Sequence, residues 1–217
     1  MKTVGDWVAE RRNMVGLLVS SGYLSDEKVK DAMLSVPRHE FIPEDRRVHA
    51  YRDTPLAIGS NQTISAPHMV AIMTREIDVQ VDSMILEIGA GSGYQAAVLA
   101  QIASEGEVIS LERIKELADN ARMNLERLGY SNVEVIHGEG SCGYREKAPF
   151  DRIIVTAAAP KIPKPLIEQL EDGGKLLIPV GGRFMQTLVL VEKKDGVTVK
   201  KEICGCVFVP LIGEDGW

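Results

Sequence analysis

Glu87, Gly89, Gly91 and Gly93 stand at every second position in Leu86-Glu87-Ile88-Gly89-Ala90-Gly91-Ser92-Gly93-Tyr94. A short apolar run, 84–88, ends in this acid and these glycines, and a helix-like segment follows. That order reads as a strand, a tight turn and a helix start, the corner at which doubly wound α/β domains hold phosphates or nucleosides. Glycine lets the chain turn sharply and lets a ligand come close to the main chain. Dinucleotide folds use G-x-G-x-x-G and turn a helix N-terminus toward a pyrophosphate. Here an acid precedes the first glycine by two residues, where it would repel a pyrophosphate. The competing reading is an ordinary glycine-rich strand-to-helix turn.

A second acid falls in register with the first motif. Residues 107–111 are apolar and β-branched and read as a strand. They end at Glu112, a little over twenty residues after Gly89. A carboxylate there can accept hydrogen bonds from both hydroxyls of a ribose. The competing role is an acid at a helix N-terminus, because 114–128 has a helical pattern.

These groups need a scaffold, and the chain supplies one. Its 217 residues are 45% apolar, enough for one substantial domain with an elaborated terminus. The formal net charge is −6, with acids and bases mixed and no long basic run, which disfavours nucleic acid as a partner. Apolar runs are too short for a membrane span, and the first twelve residues lack a signal core. Cys142, Cys204 and Cys206 are an odd set without metal-site spacing, so free thiols and a cytoplasmic location are expected.

The pattern divides near residue 80. Before it, 7–20 and 27–34 read as helices, with Ser25 as N-cap of the second; 46–65 reads as irregular, and 67–77 as a helix with Pro67 in its first turn. After it, strands (83–88, 107–111, 133–137, 152–156, 175–180) alternate with helices (94–104, 114–128, 164–170). That alternation predicts an α/β fold with a doubly wound, mostly parallel sheet. Runs 187–192 and 197–209, joined at Asp195-Gly196, predict a closing antiparallel hairpin. The expected organisation is a helical and loop extension, 1–79, on a nucleoside-binding core, 80–217, in a single compact unit.

The glycine turn resembles the first motif of class I S-adenosylmethionine methyltransferases. Longer segments are similar to one family of that class, the protein-L-isoaspartate (D-aspartate) O-methyltransferases. Gly59-Ser60-Asn61-Gln62-Thr63-Ile64-Ser65-Ala66-Pro67-His68-Met69 resembles the family's G-x-G-Q-T-I-S-x-P. Val36-Pro37-Arg38-His39-Glu40-Phe41-Ile42-Pro43 resembles V-P-R-x-x-F-V-P, and Ala50-Tyr51-Arg52-Asp53-Thr54-Pro55-Leu56 resembles A-Y-x-D-x-P-L. Thr156-Ala157-Ala158-Ala159-Pro160, the run from Gly173 to Gly181, and Phe208-Val209-Pro210-Leu211 agree as well. The resemblance covers nearly the whole chain after the first helix. It departs at Asn61, usually glycine, and at Gly138-Glu139-Gly140, where the family has Gly-Asp-Gly with its acid on the adenine amino group.

The resemblance implies esterification of the free α-carboxylate of L-isoaspartyl residues in damaged proteins and peptides, opening their repair; acceptance of D-aspartyl sites stays open. It implies S-adenosyl-L-methionine as cofactor, S-adenosyl-L-homocysteine as product, no metal, and a monomer. Thr63, His68, Glu87, Gly89, Gly91, Glu112, Arg113, Gly138, Glu139 and Gly140 would bind the cofactor, His68 near its methionine carboxylate. Ser65 would be the active-site serine, with helix N-capping as its competing role. Ile64, Ser65, Val209, Pro210 and Leu211 would flank an extended substrate, to which the last strand offers main-chain bonds; core packing competes for Leu211. A substrate carboxylate with a pKa of about 4 is already ionised at neutral pH, so no general base is needed. The enzyme would orient it and exclude water.

Two rival readings fare worse. Amino-methyltransferases of nucleic acids carry Asn/Asp-Pro-Pro-aromatic after the fourth strand, where this chain has Thr156-Ala157-Ala158-Ala159-Pro160. A non-catalytic nucleotide-binding module would not need the intact segment around Ser65.

Overall fold

A computed structural model of the chain describes residues 2–217. Seven strands form one mixed sheet: β3 (Met84–Ile88), β4 (Glu107–Glu112), β5 (Val133–His137), β6 (Phe150–Val155), β7 (Leu170–Gly181), β8 (Gln186–Lys194) and β9 (Val197–Cys206), in the order β5-β4-β3-β6-β7-β8-β9. Strands β3 to β7 pair in parallel, and β7-β8-β9 pair antiparallel. Ile85, Leu86 and Ile88 of β3 are all buried, because both faces of the sheet are covered. The order reverses around β3, which opens a crevice at the carboxyl ends of the strands.

Helices α4 (Tyr94–Ile102), α5 (Lys115–Arg127) and α6 (Lys164–Glu168) make the crossovers. Tyr94 to Ala100 are buried all round, so α4 is a core helix. In α5 only one stripe is buried, Leu117, Ala118, Ala121 and Leu125. The α6 helix stops earlier than its pattern predicts, because Leu170 opens β7 and pairs with Phe150.

The N-terminal part packs on this core rather than standing apart. Helices α1 (Val4–Ser20), α2 (Glu27–Ser35) and α3 (Pro67–Ile77) contribute Leu18, Met33, Met73 and Ile77 to the hydrophobic cluster that holds Ile85, Leu99 and Val108. The α1 helix starts earlier than expected, under a capping box between Thr3 and Asp6. Asp26, not Ser25, caps α2, accepting from the Val29 N–H. No helix among the described residues is long and apolar enough to cross a membrane.

The stretch read as irregular contains a hairpin, β1 (Leu56–Gly59) paired with β2 (Gln62–Ile64). Its turn residues Ser60 and Asn61 have φ of 48° and 57°, the pattern of a primed hairpin turn. Asparagine tolerates that left-handed region, so the departure at Asn61 leaves the turn intact. The expected hairpin β8-β9 turns at Asp195 (φ 51°) and Gly196 (φ 74°), and the Gly196 N–H donates to Asp172 Oδ1 at 2.9 Å.

Candidate active site

The crevice at the ends of β3 to β6 holds a cavity, and the glycine turn forms its floor. Gly89 has φ 99°, and a Cβ there would collide with Thr156 Oγ1. The Gly89 and Ala90 N–H groups both donate to the Leu111 carbonyl, at 2.8 and 3.1 Å, which ties the turn to β4. Glu112 ends β4 at the cavity wall, with 8% of its surface exposed. Its Oε2 accepts from the Gly91 N–H at 3.0 Å and its Oε1 from the Ile114 N–H at 2.9 Å. Each oxygen keeps a lone pair for a ligand in the cavity, so supporting the helix end leaves Glu112 free for the expected ribose contact. Arg113, Gly138 and Gly140 line the same cavity.

Two expected cofactor contacts do not reach the cavity surface. Glu87 is fully buried beneath the turn, where Ser110 donates to its Oε2 and its Oε1 has no partner. Burial pushes its carboxyl up to about 8, so it is mostly protonated at neutral pH. Glu139 turns away: its Oε1 accepts from the Ser141 N–H, and its carboxylate fills the space beside Gly213 in the C-terminal tail.

An outer groove runs past Pro55, Ser65, His68, Phe208 and Val209, and a small pocket lies between it and the head of α4. Ser65 lines both groove and pocket. It does not cap α3: Ala66 holds the cap position, no side chain accepts there, and Pro67 needs no partner for its nitrogen. Among the described residues the Ser65 hydroxyl makes no hydrogen bond, while its carbonyl accepts from Arg38 Nη2 at 2.7 Å. Thr63 lines cavity, pocket and groove alike.

His68 lies on the groove and not on the cavity at the glycine turn. Asp53 Oδ1 holds its backbone N–H and its Nδ1, each at 2.9 Å, and Tyr23 packs on its ring at 5.2 Å. Ile64 turns inward to the core at 5% exposure and borders the pocket rather than the groove. Val209 borders both groove and cavity, whereas Pro210 and Leu211 border the cavity alone. Leu211 also joins the core. The Val209 carbonyl and Leu211 N–H bond Ala158, each at 2.8 Å, so these main-chain groups are not available to a substrate strand.

Thr156 and Arg38 stand within motifs of the sequence, but the sequence reading gave neither a site role. Thr156 follows β6 and lines cavity, pocket and groove, donating to the Gly89 carbonyl at 2.7 Å. Its place at the end of the strand beside the glycine strand was the signal. Arg38 is wholly buried; burial pulls its guanidinium down to about 10, so it stays protonated at neutral pH.

A seven-stranded sheet with a closing antiparallel hairpin, a glycine turn after its central strand and an acid at the end of the next define a class I methyltransferase. The family described as protein-L-isoaspartate(D-aspartate) O-methyltransferase matches residues 9–216, and the chain belongs to it. A protein-L-isoaspartate O-methyltransferase of Hyperthermus butylicus is 54% identical over 98% of this chain and 92% of its own. One of Methanopyrus kandleri is 56% identical over 95% and 93%. A crystal structure from Plasmodium falciparum, described as this enzyme in complex with S-adenosyl-L-homocysteine, superposes with a TM-score of 0.83 at 32% identity, covering 93% of this chain and 98% of that one.

Proposed function

We propose that the protein methylates the free α-carboxylate of isoaspartyl residues in damaged polypeptides, with S-adenosyl-L-methionine as cofactor. The observation that carries this reading is Ser65, whose unengaged hydroxyl lines both the outer groove and the pocket beside the glycine turn. A carboxylate in the groove and a cofactor in the cavity would meet there.

The cavity suits that cofactor. Glu112 presents lone pairs to a ribose and would repel a phosphate, and Gly89 leaves no room for a side chain. When bound, the cofactor supplies an electrophilic methyl group on a sulfonium. The chain's own residues position and desolvate. Ser65 donates to the substrate carboxylate while keeping its own proton, and Thr63 of the hairpin β1-β2 and Thr156 line the place where the two ligands meet. The ester product activates its own ring closure: the next backbone nitrogen attacks the ester carbon, methanol leaves, and hydrolysis of the succinimide returns part of the chain to normal aspartate.

Three free thiols support work in a reducing compartment such as the cytoplasm. Label transfer from methyl-labelled cofactor to paired peptides differing only in aspartyl or isoaspartyl linkage tests the reading. The isoaspartyl peptide should be labelled, releasing methanol in base, and its twin left nearly untouched. Equal labelling, or labelling of RNA instead, would overturn it.

A further inference from the structure

Arg38 is a cation in an unusual place. It lies in the single-turn 3₁₀ helix Arg38–Phe41 and has no exposed surface. Its Nε donates to the Ala50 carbonyl at 2.9 Å and its Nη2 to the Ser65 carbonyl at 2.7 Å. Its Nη1 has no acceptor and no carboxylate forms a direct ion pair with it among the described residues, although Asp53 acts on it through space and favours its charged form. The Tyr94 ring, at the head of α4, packs under the guanidinium at 4.9 Å. A buried charge without a counter-ion is costly, and an apolar side chain of similar volume would fill this space more cheaply. Scaffolding alone therefore explains it poorly.

What distinguishes the place is its neighbour. The guanidinium bonds the carbonyl of Ser65, which with Thr63 and Thr156 faces both the groove and the pocket at the glycine turn. Positive charge in a low-dielectric interior acts at longer range than at a surface, because little water screens it. We propose that Arg38 is a positioning residue that selects an ionised carboxylate at Ser65: it fixes the Ser65 main chain and, having no direct ion pair, leaves its charge free to act on an arriving anion through space. Being buried, it does not touch the substrate.

This inference rests on the proposed reaction, and it adds a charge-specific signature. The field of Arg38 favours the carboxylate before reaction, and that charge disappears as the ester forms. Its loss should raise KM far more than it lowers kcat. A misplaced Ser65 would instead weaken acidic and neutral ligands alike.

The test uses an isoaspartyl peptide and its analogue with the α-carboxylate replaced by a carboxamide, which binds without reacting. The wild type should bind the acid at least about tenfold more tightly than the amide. In Arg38→Gln that preference should shrink by roughly tenfold or more, through weaker acid binding with amide binding held. Arg38→Lys, which keeps the charge, should retain most of it, and affinity for S-adenosyl-L-homocysteine should hold in both. Equal wild-type binding of acid and amide would overturn the inference without any variant. So would an unchanged acid preference in folded Arg38→Gln, or a loss of preference in folded Arg38→Lys equal to that in Arg38→Gln. If the wild type fails to methylate the isoaspartyl peptide at all, the proposed reaction itself falls.

Discussion

The carboxylate of Glu112 accepts the Gly91 N–H at 3.0 Å, so the acid that ends β4 braces the glycine turn that follows β3. One side chain thus shapes the cavity floor and offers acceptors within it.

Replacing Glu112 should accordingly be felt in binding. Glu112→Ala should weaken S-adenosyl-L-homocysteine by at least about tenfold, since hydrogen bonds to a charged acceptor are worth roughly 1.5–3 kcal/mol each. Calorimetry measures it. An unchanged dissociation constant would leave Glu112 only its support of the turn.

Ser65→Ala separates orientation from stability. The hydroxyl caps nothing, so the melting temperature should stay close to that of the wild type. Loss of a charge-assisted bond of about 1.5–3 kcal/mol should lower kcat/KM for an isoaspartyl peptide roughly ten- to hundredfold, with product affinity held. Full activity in the folded variant would refute the orienting role.

Asp53→Ala releases His68 from its two bonds and tests which ligand that histidine serves. Its position on the groove predicts a KM for peptide several-fold higher, about three- to tenfold, with cofactor binding unaffected. A drop in S-adenosyl-L-homocysteine affinity instead would return His68 to the methionine carboxylate.

Glu87 predicts a pH dependence of stability. Its folded pKa is raised from 4.5 to about 8, so between those values the folded chain holds a proton that the unfolded chain has given up. Its contribution is full below that lower value and is lost as pH rises through the folded pKa. Glu87→Gln, neutral throughout, should flatten the decline of melting temperature between about pH 5 and 8. Identical slopes in the two proteins would mean that Glu87 is ionised in the fold.

The parallel sheet and its closing hairpin were legible because strands and helices differ in hydrophobic period and Asp195-Gly196 names its turn. The glycine turn and Glu112 were legible because one ligand constrains both. The β1-β2 hairpin was not, since its turn uses Ser60 and Asn61 where a glycine would have announced it. Nor could spacing show that Glu139 turns to the Ser141 N–H or that Pro210 and Leu211 face the cavity, because tail packing decides both. Arg38 was hidden for another reason. An arginine reads as a surface residue until the burial that makes it unusual is seen.

The turn between β8 and β9 bears on how this protein itself ages. In an Asp-Gly sequence nothing shields the side-chain carboxyl from the next backbone nitrogen, because glycine has no side chain, and that ring closure is how isoaspartyl linkages arise. At Asp195-Gly196 the nitrogen in question already donates to Asp172, and the turn holds both residues in the left-handed region. The fold thereby guards the site against self-inflicted damage for as long as it stays folded. A copy that unfolds loses that guard and becomes a client for the copies that have not.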